Sequence, residues 1–313
     1  MISKYITENG ILREIDDFRD GMWVNLTTPS QEESMLIAEK FDIDIADVRA
    51  ALDDEEAARV DISENYTLLV FDIPTVEIRH NQEAYTTIPL GVIWTKGAFI
   101  TICSAESQVI KQFTTNTVKD IDTKKHARFT LQIMYRTSTL YQAYLRNIDR
   151  KRLEMEEKIG GQTEDSDIIL LHELESNLVY FDTSLRSNRM VVDRLTRYSR
   201  IKKYPEDQEL LDDVLIENQQ SIEMTQIYRD IIKGTRELMS TVIDNRLNNI
   251  MKYLAAITIV MSIPTIISGL YGMNVSGEWM PLSDTPYGFF IICVLTLLIC
   301  ILVAVILKKR KML

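Results

Sequence analysis

The fold is decided by residues 253–277, which read YLAAITIVMSIPTIISGLYGMNVSG and contain no charged side chain. A second uncharged run, Thr285 to Leu307, follows after a short loop and ends in the basic cluster Lys308 to Lys311. Each run is longer than the roughly 20 apolar residues that cross about 30 Å of hydrocarbon as a helix. The two runs therefore predict a hairpin of transmembrane helices, over 251–272 and 285–307.

The charges that flank the runs predict the orientation of the hairpin. Cytoplasmic loops carry an excess of Lys and Arg, so the basic cluster after the second run is expected in the cytosol. The loop between the runs carries Glu278 and Asp284 and no basic residue. Both chain ends then face the cytosol, which predicts a multi-pass protein of the cell membrane. Residues 1–12 have no apolar core of signal-peptide length, which fits insertion through the C-terminal helices.

The remainder of the chain is strongly acidic. The whole sequence has 35 basic and 46 acidic residues, a net charge of −11, but the part from Asn248 onward is net +3 and residues 1–247 carry −14. An acidic domain repels nucleic acid and attracts divalent cations, so we exclude nucleic acid as a partner. Many of these carboxylates could equally do no more than keep the domain soluble.

The sequence carries no sign of enzymatic chemistry. It has no Gly-x-x-x-x-Gly-Lys loop and suggests no Ser-His-Asp arrangement, so the chain is predicted not to be an enzyme. The three cysteines are too few and too scattered for a disulfide framework or a zinc site and are expected to be packing residues: Cys103, Cys293 and Cys300. The three histidines share no ligand spacing and are expected on the surface: His80, His126 and His172.

Residues 1–122 are predicted to form a cytosolic domain with a small α/β sheet and helices. Segments 22–26, 66–76, 84–94 and 98–102 are rich in β-branched and aromatic residues, which is typical of strands. Lys96-Gly97 is a plausible hairpin turn between the last two. Helical spacing occurs over 29–41 and 45–52.

Residues 123–250 are predicted to form long helices and a stalk, because between Gly97 and Gly234 glycine occurs only at Gly160 and Gly161, and Pro205 is the sole proline between Pro89 and Pro264. We place the helices at about 124–158, 165–202 and 206–272. The last would be roughly 100 Å long at 1.5 Å per residue, so it must continue from the soluble part into the first membrane span. Residues 251–313 then form the membrane hairpin and a basic tail.

One face of the first membrane helix carries small and polar residues at steps of three and four. We call this face the seam; its members are Asn248, Met251, Leu254 with Ala255, Thr258, Ser262, Thr265, Gly269 and Gly272. Such a stripe is also how membrane helices pack against each other, so packing and pore lining both remain open. Since one hairpin offers one such face, an aqueous path would need a ring of several subunits.

In a ring, the seam would divide into a wet section and a constriction. Met251 and Leu254 would form an apolar gate near the cytosolic mouth, able to close by dewetting. Glu278 and Asp284 would concentrate cations at the other mouth. The pore-lining residues would be Asn248, Thr258, Ser262, Thr265 and Gly269.

The end of this helix, Tyr271-Gly272-Met273-Asn274, resembles the signature of the CorA family of divalent-cation channels. The resemblance extends in outline over the chain, from an acidic α/β domain through long helices to two C-terminal spans and a basic tail. It implies a funnel-shaped homopentamer with a selectivity filter of Gly272, Met273 and Asn274 at the outer entrance, Met273 packing behind the turn. Mg²⁺ sheds water reluctantly, so amide and carbonyl oxygens can hold it through its hydration shell.

The resemblance also implies that Mg²⁺ is both the transported substrate and a regulator that binds between acidic domains and favours the closed ring. The residues implied for regulation are Asp213, Asp212, Asp72 and Glu77. Two alternatives stay open: transport of Co²⁺, Ni²⁺ or Zn²⁺ by the same architecture, and a non-conducting, membrane-anchored coiled-coil scaffold. The seam lacks His and Cys, which gives soft-metal preference little support.

Overall fold

In a computed structural model of the chain, the described residues are 1–8, 10–79, 82–159, 165–197, 205–274, 280–282 and 285–310. They divide into two compact units, Met1–Arg236 and Glu237–Leu313. The first unit contains a mixed sheet with helices on both faces. The second contains the end of a long helix and the C-terminal helix.

The sheet has seven strands in the order β2-β1-β3-β7-β6-β5-β4. Their bounds are β1 Ile2–Glu8, β2 Ile11–Glu14, β3 Met22–Thr27, β4 Arg59–Ile62, β5 Thr67–Arg79, β6 Gln82–Trp94 and β7 Ala98–Cys103. Strands β3 and β7 pair in parallel, and the other neighbours are antiparallel. The four predicted strands and the turn at Lys96-Gly97 are confirmed. In that turn the Thr95 hydroxyl oxygen accepts a hydrogen bond from the Ala98 N–H at 2.9 Å.

Both faces of the sheet are apolar because helices cover both. Neighbouring residues alternate between two cores: Trp23 and Phe99 lie in one, Val24 and Ile100 in the other. On the first face Phe129 stacks at a centroid distance of 4.5 Å from Phe99 and 5.2 Å, edge on, from Trp23. Cys103 is buried in the same core, which confirms it as a packing residue.

The helices follow the predicted pattern except for α3, which was not predicted. Their bounds are α1 Gln31–Phe41, α2 Ile45–Arg49, α3 Gln108–Thr114, α4 His126–Lys158, α5 Asp165–Thr196, α6 Pro205–Tyr271 and α7 Gly288–Lys309, with a short 3₁₀ turn at Ala50–Leu52. Helix α1 starts one residue after Ser30, whose hydroxyl and the Glu33 carboxylate form a reciprocal capping box. The predicted end of the second long helix, 198–202, lies outside the described residues.

His126 is half-buried rather than exposed on the surface as predicted. Its ring packs against Phe99 at a centroid distance of 5.7 Å. Desolvation lowers its pKa to about 4, although Asp122 and Asp20 act in the opposite direction. His172 is exposed, as predicted, and His80 lies outside the described residues. The error arose because His126 opens α4, where the helix meets the sheet.

Candidate ion pathway

Two helices are long and apolar enough to cross a membrane among the described residues, α6 through its C-terminal part and α7. Residues 253–271 of α6 carry no charge, and α7 is uncharged until Lys308. Within the second unit these two segments form the predicted hairpin. The position of the seam on this hairpin decides what the seam can do.

Helix α7 contacts one face of α6. Ala256 is fully buried, and the Cys300 Sγ of α7 lies 3.8 Å from the Val260 carbonyl oxygen. Ile263 and Ile267 are half-buried, and these four positions follow at steps of four, three and four. They form the stripe of an α-helix that faces one neighbour. The covered face of α6 therefore contains Ala256, Val260, Ile263 and Ile267.

The seam lies on the opposite face of α6. At about 100° per residue, Thr258 lies roughly 200° and Thr265 roughly 180° around the helix from Ala256. Met251 and Leu254, the predicted gate, are 62% and 64% exposed. Asn248, Thr258, Thr265 and Gly269 are exposed as well, and Ser262 is half-buried. Most of the seam thus faces away from α7 of the same chain, although Gly272 lines the cavity between the two helices.

The hydroxyl groups of the seam turn their donors inward. Those of Thr258, Ser262 and Thr265 donate to main-chain carbonyls one turn earlier, at 2.9, 2.8 and 3.1 Å. A hydroxyl that donates to its own helix keeps its acceptor capacity for an outside partner. Water bound to a cation presents hydrogens outward. The seam therefore keeps hydroxyl acceptors available to a partner outside the helix.

The predicted filter residues follow the last turn of α6. The Gly272 N–H donates to the Ser268 carbonyl at 2.9 Å, and the Met273 N–H donates to the Leu270 carbonyl at 3.4 Å. A Cβ on Gly272 would lie 3.2 Å from the Ser268 oxygen, a close approach that favours glycine. Asn274 is exposed. Met273 is 53% exposed, so within one chain it does not pack behind the turn as expected.

Two contacts that the sequence reasoning missed shape the loop after the filter. The Tyr271 hydroxyl donates to the Pro281 carbonyl at 2.9 Å, which ties the end of α6 to the loop. Gly288 begins α7 so close to the preceding turn that an added Cβ would lie 2.1 Å from the Leu282 oxygen. A glycine two residues after Thr285-Pro286 was the available signal for this turn. Glu278 and Asp284 lie outside the described residues.

The four carboxylates implied for regulation occupy different environments. Asp212 and Asp213 are exposed on α6, and Glu77 is exposed on β5 and pairs with Arg79 at 2.9 Å. Asp72 is largely buried, which raises the pKa of its carboxyl group, although a hydrogen bond from Ser184 acts in the opposite direction.

The main chain of Asp72 is held by helix α5. Its N–H donates to the Asn188 side-chain oxygen at 2.8 Å, and the Asn188 amide donates back to the Asp72 carbonyl at 2.7 Å. Among the described residues no three His, Cys, Asp or Glu side chains come together as a metal site would require.

Comparison with known proteins finds relatives over nearly the whole length. A cobalt/magnesium transport protein CorA from Methanocaldococcus jannaschii is 28% identical over 294 residues, 92% of this chain and 90% of that protein. A protein of the same name from Thermotoga maritima is 25% identical over 303 residues, 94% of this chain and 85% of its own.

A comparison of structures and a family model both agree with these sequence matches. The complete structure of the CorA magnesium transporter from Methanocaldococcus jannaschii superposes with a TM-score of 0.81 and 24% identity, over 98% of this chain and 96% of that one. The family model described as CorA-like Mg²⁺ transporter protein matches residues 19–309. That match takes in strands β3 to β7, the long helices and both apolar helices. The chain therefore belongs to the CorA-like Mg²⁺ transporter family.

Proposed function

We propose that this protein is a channel-type uptake system for Mg²⁺ in the cell membrane, formed by a homopentamer with the seam of α6 around its axis. The observation that carries the proposal is the position of the seam, on the face of α6 opposite α7 and exposed in the single chain. The family supports it, and so do the cobalt and magnesium in the names of the relatives. Both chain ends face the cytosol in this arrangement.

The proposed path begins at the filter. Carbonyl and amide oxygens of Gly272 and Asn274 hold Mg²⁺ through its waters, and Glu278 and Asp284 raise the cation concentration nearby. The seam hydroxyls then accept hydrogen bonds from the hydration shell. Met251 and Leu254 close the cytosolic end by excluding water. The membrane potential drives uptake, at about 2.3 kcal/mol per elementary charge per 100 mV and about twice that for Mg²⁺.

Regulation follows from the acidity of the first unit. Mg²⁺ bound between neighbouring copies at Asp213, Asp212 and Glu77 holds the ring closed, and its release opens the path. Asp72 fits this role less well, because its burial favours the neutral acid over a metal ligand. In this scheme the cytosolic domain is 1–122, the stalk is 123–250 and the membrane part is 251–313.

Co²⁺ transport by the same path is the second candidate, because the relatives are named for cobalt as well as magnesium. The seam offers hydroxyl and amide oxygens without His or Cys, a set that suits a hard cation. Uptake of Mg²⁺ and Co²⁺ by the same liposomes, measured in competition, ranks the two ions.

The test is ion uptake by liposomes that contain the purified full-length protein, with a Mg²⁺-sensitive dye inside. We expect uptake in the wild type and at least a tenfold loss in Asn274→Ala, which corresponds to about 1.4 kcal/mol at the filter. Asn249→Ala is the matched control, since Asn249 is exposed on α6 but lies about 20° from the direction of Ala256 rather than on the seam. Sealed wild-type vesicles would favour the scaffold instead.

A further inference from the structure

We propose that Cys300 of α7 is a positioning residue: its thiol donates to the main-chain carbonyl that Pro264 leaves without a helical partner, and this bond fixes the seam-bearing helix against α7. The inference concerns residues outside the filter, the seam and the gate. Its effect on transport rests on the proposed function. The hydrogen bond itself does not depend on that function.

Pro264 creates the need for an outside donor. It lies inside α6 and has no N–H, and in an α-helix the N–H of residue 264 would donate to the carbonyl of residue 260. The Val260 carbonyl therefore loses its usual partner in the middle of an apolar span. An unpaired carbonyl is costly in hydrocarbon, where no water can replace the lost donor.

Cys300 lies where the missing donor is required. Its Sγ is 3.8 Å from the Val260 oxygen, a long separation of the kind that sulfur donors make. Cys300 and Pro264 also line the same cavity of about 750 Å³ between α6 and α7, together with Ser268 and Thr296.

The other hydroxyl groups near this point are committed elsewhere. Thr296 donates to the Ile292 carbonyl of its own helix at 2.7 Å, and Ser268 donates to the Thr265 carbonyl at 3.2 Å. Ser262 donates to the Ile259 carbonyl at 2.8 Å. Among the described side chains, the Cys300 thiol is the donor found at the Val260 carbonyl.

The bond has a consequence for the seam. Val260 lies between the seam residues Thr258 and Ser262 but on the covered face of α6. A proline makes a helix able to bend at this level. A contact from α7 to the freed carbonyl therefore sets the direction of the bend, and with it the alignment of the hydroxyls before and after the proline.

Cys293 provides an internal control. It lies seven residues before Cys300, lines the same cavity and makes no hydrogen bond within the described part of the chain. The S–H stretching band in the infrared spectrum distinguishes a donating thiol from a free one, because donation moves the band to lower frequency. Difference spectra of the full-length protein against Cys300→Ala and Cys293→Ala assign the two bands.

We expect the Cys300 band below the Cys293 band, and we expect Pro264→Ala to move it towards the Cys293 position, because alanine restores the N–H that the Val260 carbonyl lacks. Equal frequencies of the two S–H bands would overturn the proposal, and so would a Cys300 band that Pro264→Ala does not move.

A double-mutant cycle gives an independent readout. Cys300→Ala should lower the melting temperature in detergent and reduce liposome uptake of Mg²⁺ by about two- to fivefold, the range of a weak hydrogen bond. Cys300→Ser keeps a donor and should restore both. In the Pro264→Ala background Cys300→Ala should change neither. Additive effects of the two substitutions would refute the hydrogen bond between Cys300 and the Val260 carbonyl. Wild-type vesicles that take up no Mg²⁺ would refute the channel instead. In that case the infrared spectra and the melting temperatures alone test the hydrogen bond.

Discussion

The start of α7 allows a sharp prediction about two glycines of the membrane hairpin. A methyl group at Gly288 would lie 2.1 Å from the Leu282 carbonyl oxygen and 2.8 Å from the Thr285 hydroxyl oxygen, far inside van der Waals contact. The turn must open by more than about 1 Å to accept it, which also strains the bond from the Gly288 N–H to the Thr285 carbonyl at 3.0 Å. Overpacking of this kind costs about 1–3 kcal/mol. Gly288→Ala should therefore destabilise the hairpin by that amount.

Gly269→Ala is the matched substitution with the opposite expectation. No atom lies within 4 Å of an added Cβ at Gly269, and alanine in a helix interior is favoured over glycine by roughly 0.5–1 kcal/mol. Thermal unfolding of each full-length variant in the same detergent measures the difference. Gly288→Ala should melt below the wild type and Gly269→Ala at or above it. A Gly288→Ala protein as stable as the wild type would show that the turn before α7 is not held as tightly as described.

Three further predictions concern the loop, the seam and the soluble unit. Tyr271→Phe removes the donor to the Pro281 carbonyl and should lower hairpin stability by about 1 kcal/mol in the same melting assay, with no change contradicting the tie. Asn248→Ala should reduce Mg²⁺ uptake more than Asn249→Ala, and equal effects would place the seam elsewhere. His126 has a pKa lowered to about 4 from 6.5, so the folded state prefers the neutral ring, and stability is lost as the pH falls from 6.5 through 4, by up to about 3 kcal/mol. His126→Phe should flatten this dependence in denaturant titrations of the full-length protein, and an unchanged slope would contradict the assigned burial.

The sequence predicted those parts of the fold whose side-chain pattern is dictated by what covers them. Strand β5 and the uncharged spans are examples, because burial on both faces or in hydrocarbon requires continuous apolar runs. Strands β1, β2 and β4 were missed. Strands β2 and β4 lie at the edges of the sheet, where short strands with charged residues such as Arg13 and Arg59 are tolerated, and β1 beside β2 is only partly buried. Periodicity alone could not identify them.

For the candidate pathway, the sequence predicts a face of α6 but not what covers it. The spacing of the seam placed its members on one face, but it could not say whether α7 or another surface covers that face. In the structure, Ala256 and Val260 lie on the face that α7 covers, so α7 does not cover Thr258 and Thr265 on the opposite face. The contacts of Tyr271 and Cys300 were unpredictable, since each joins residues that only the folded hairpin brings together.

The sizes of the side chains along the seam give it a direction. Met251 and Leu254 are bulky and exposed at one end, whereas Gly269 and Gly272 have no side chain at the other. Around a common axis such a helix would leave a narrow apolar passage at the first end and exposed main chain at the second. Closure by dewetting requires a narrow apolar passage, and binding of a hydrated ion by carbonyl oxygens requires exposed main chain. A larger side chain at residue 269 should therefore obstruct the ion but leave the path open to water. Replacing Leu254 with Ser should keep the path open at the other end. The reverse pattern would place the gate at the glycine end.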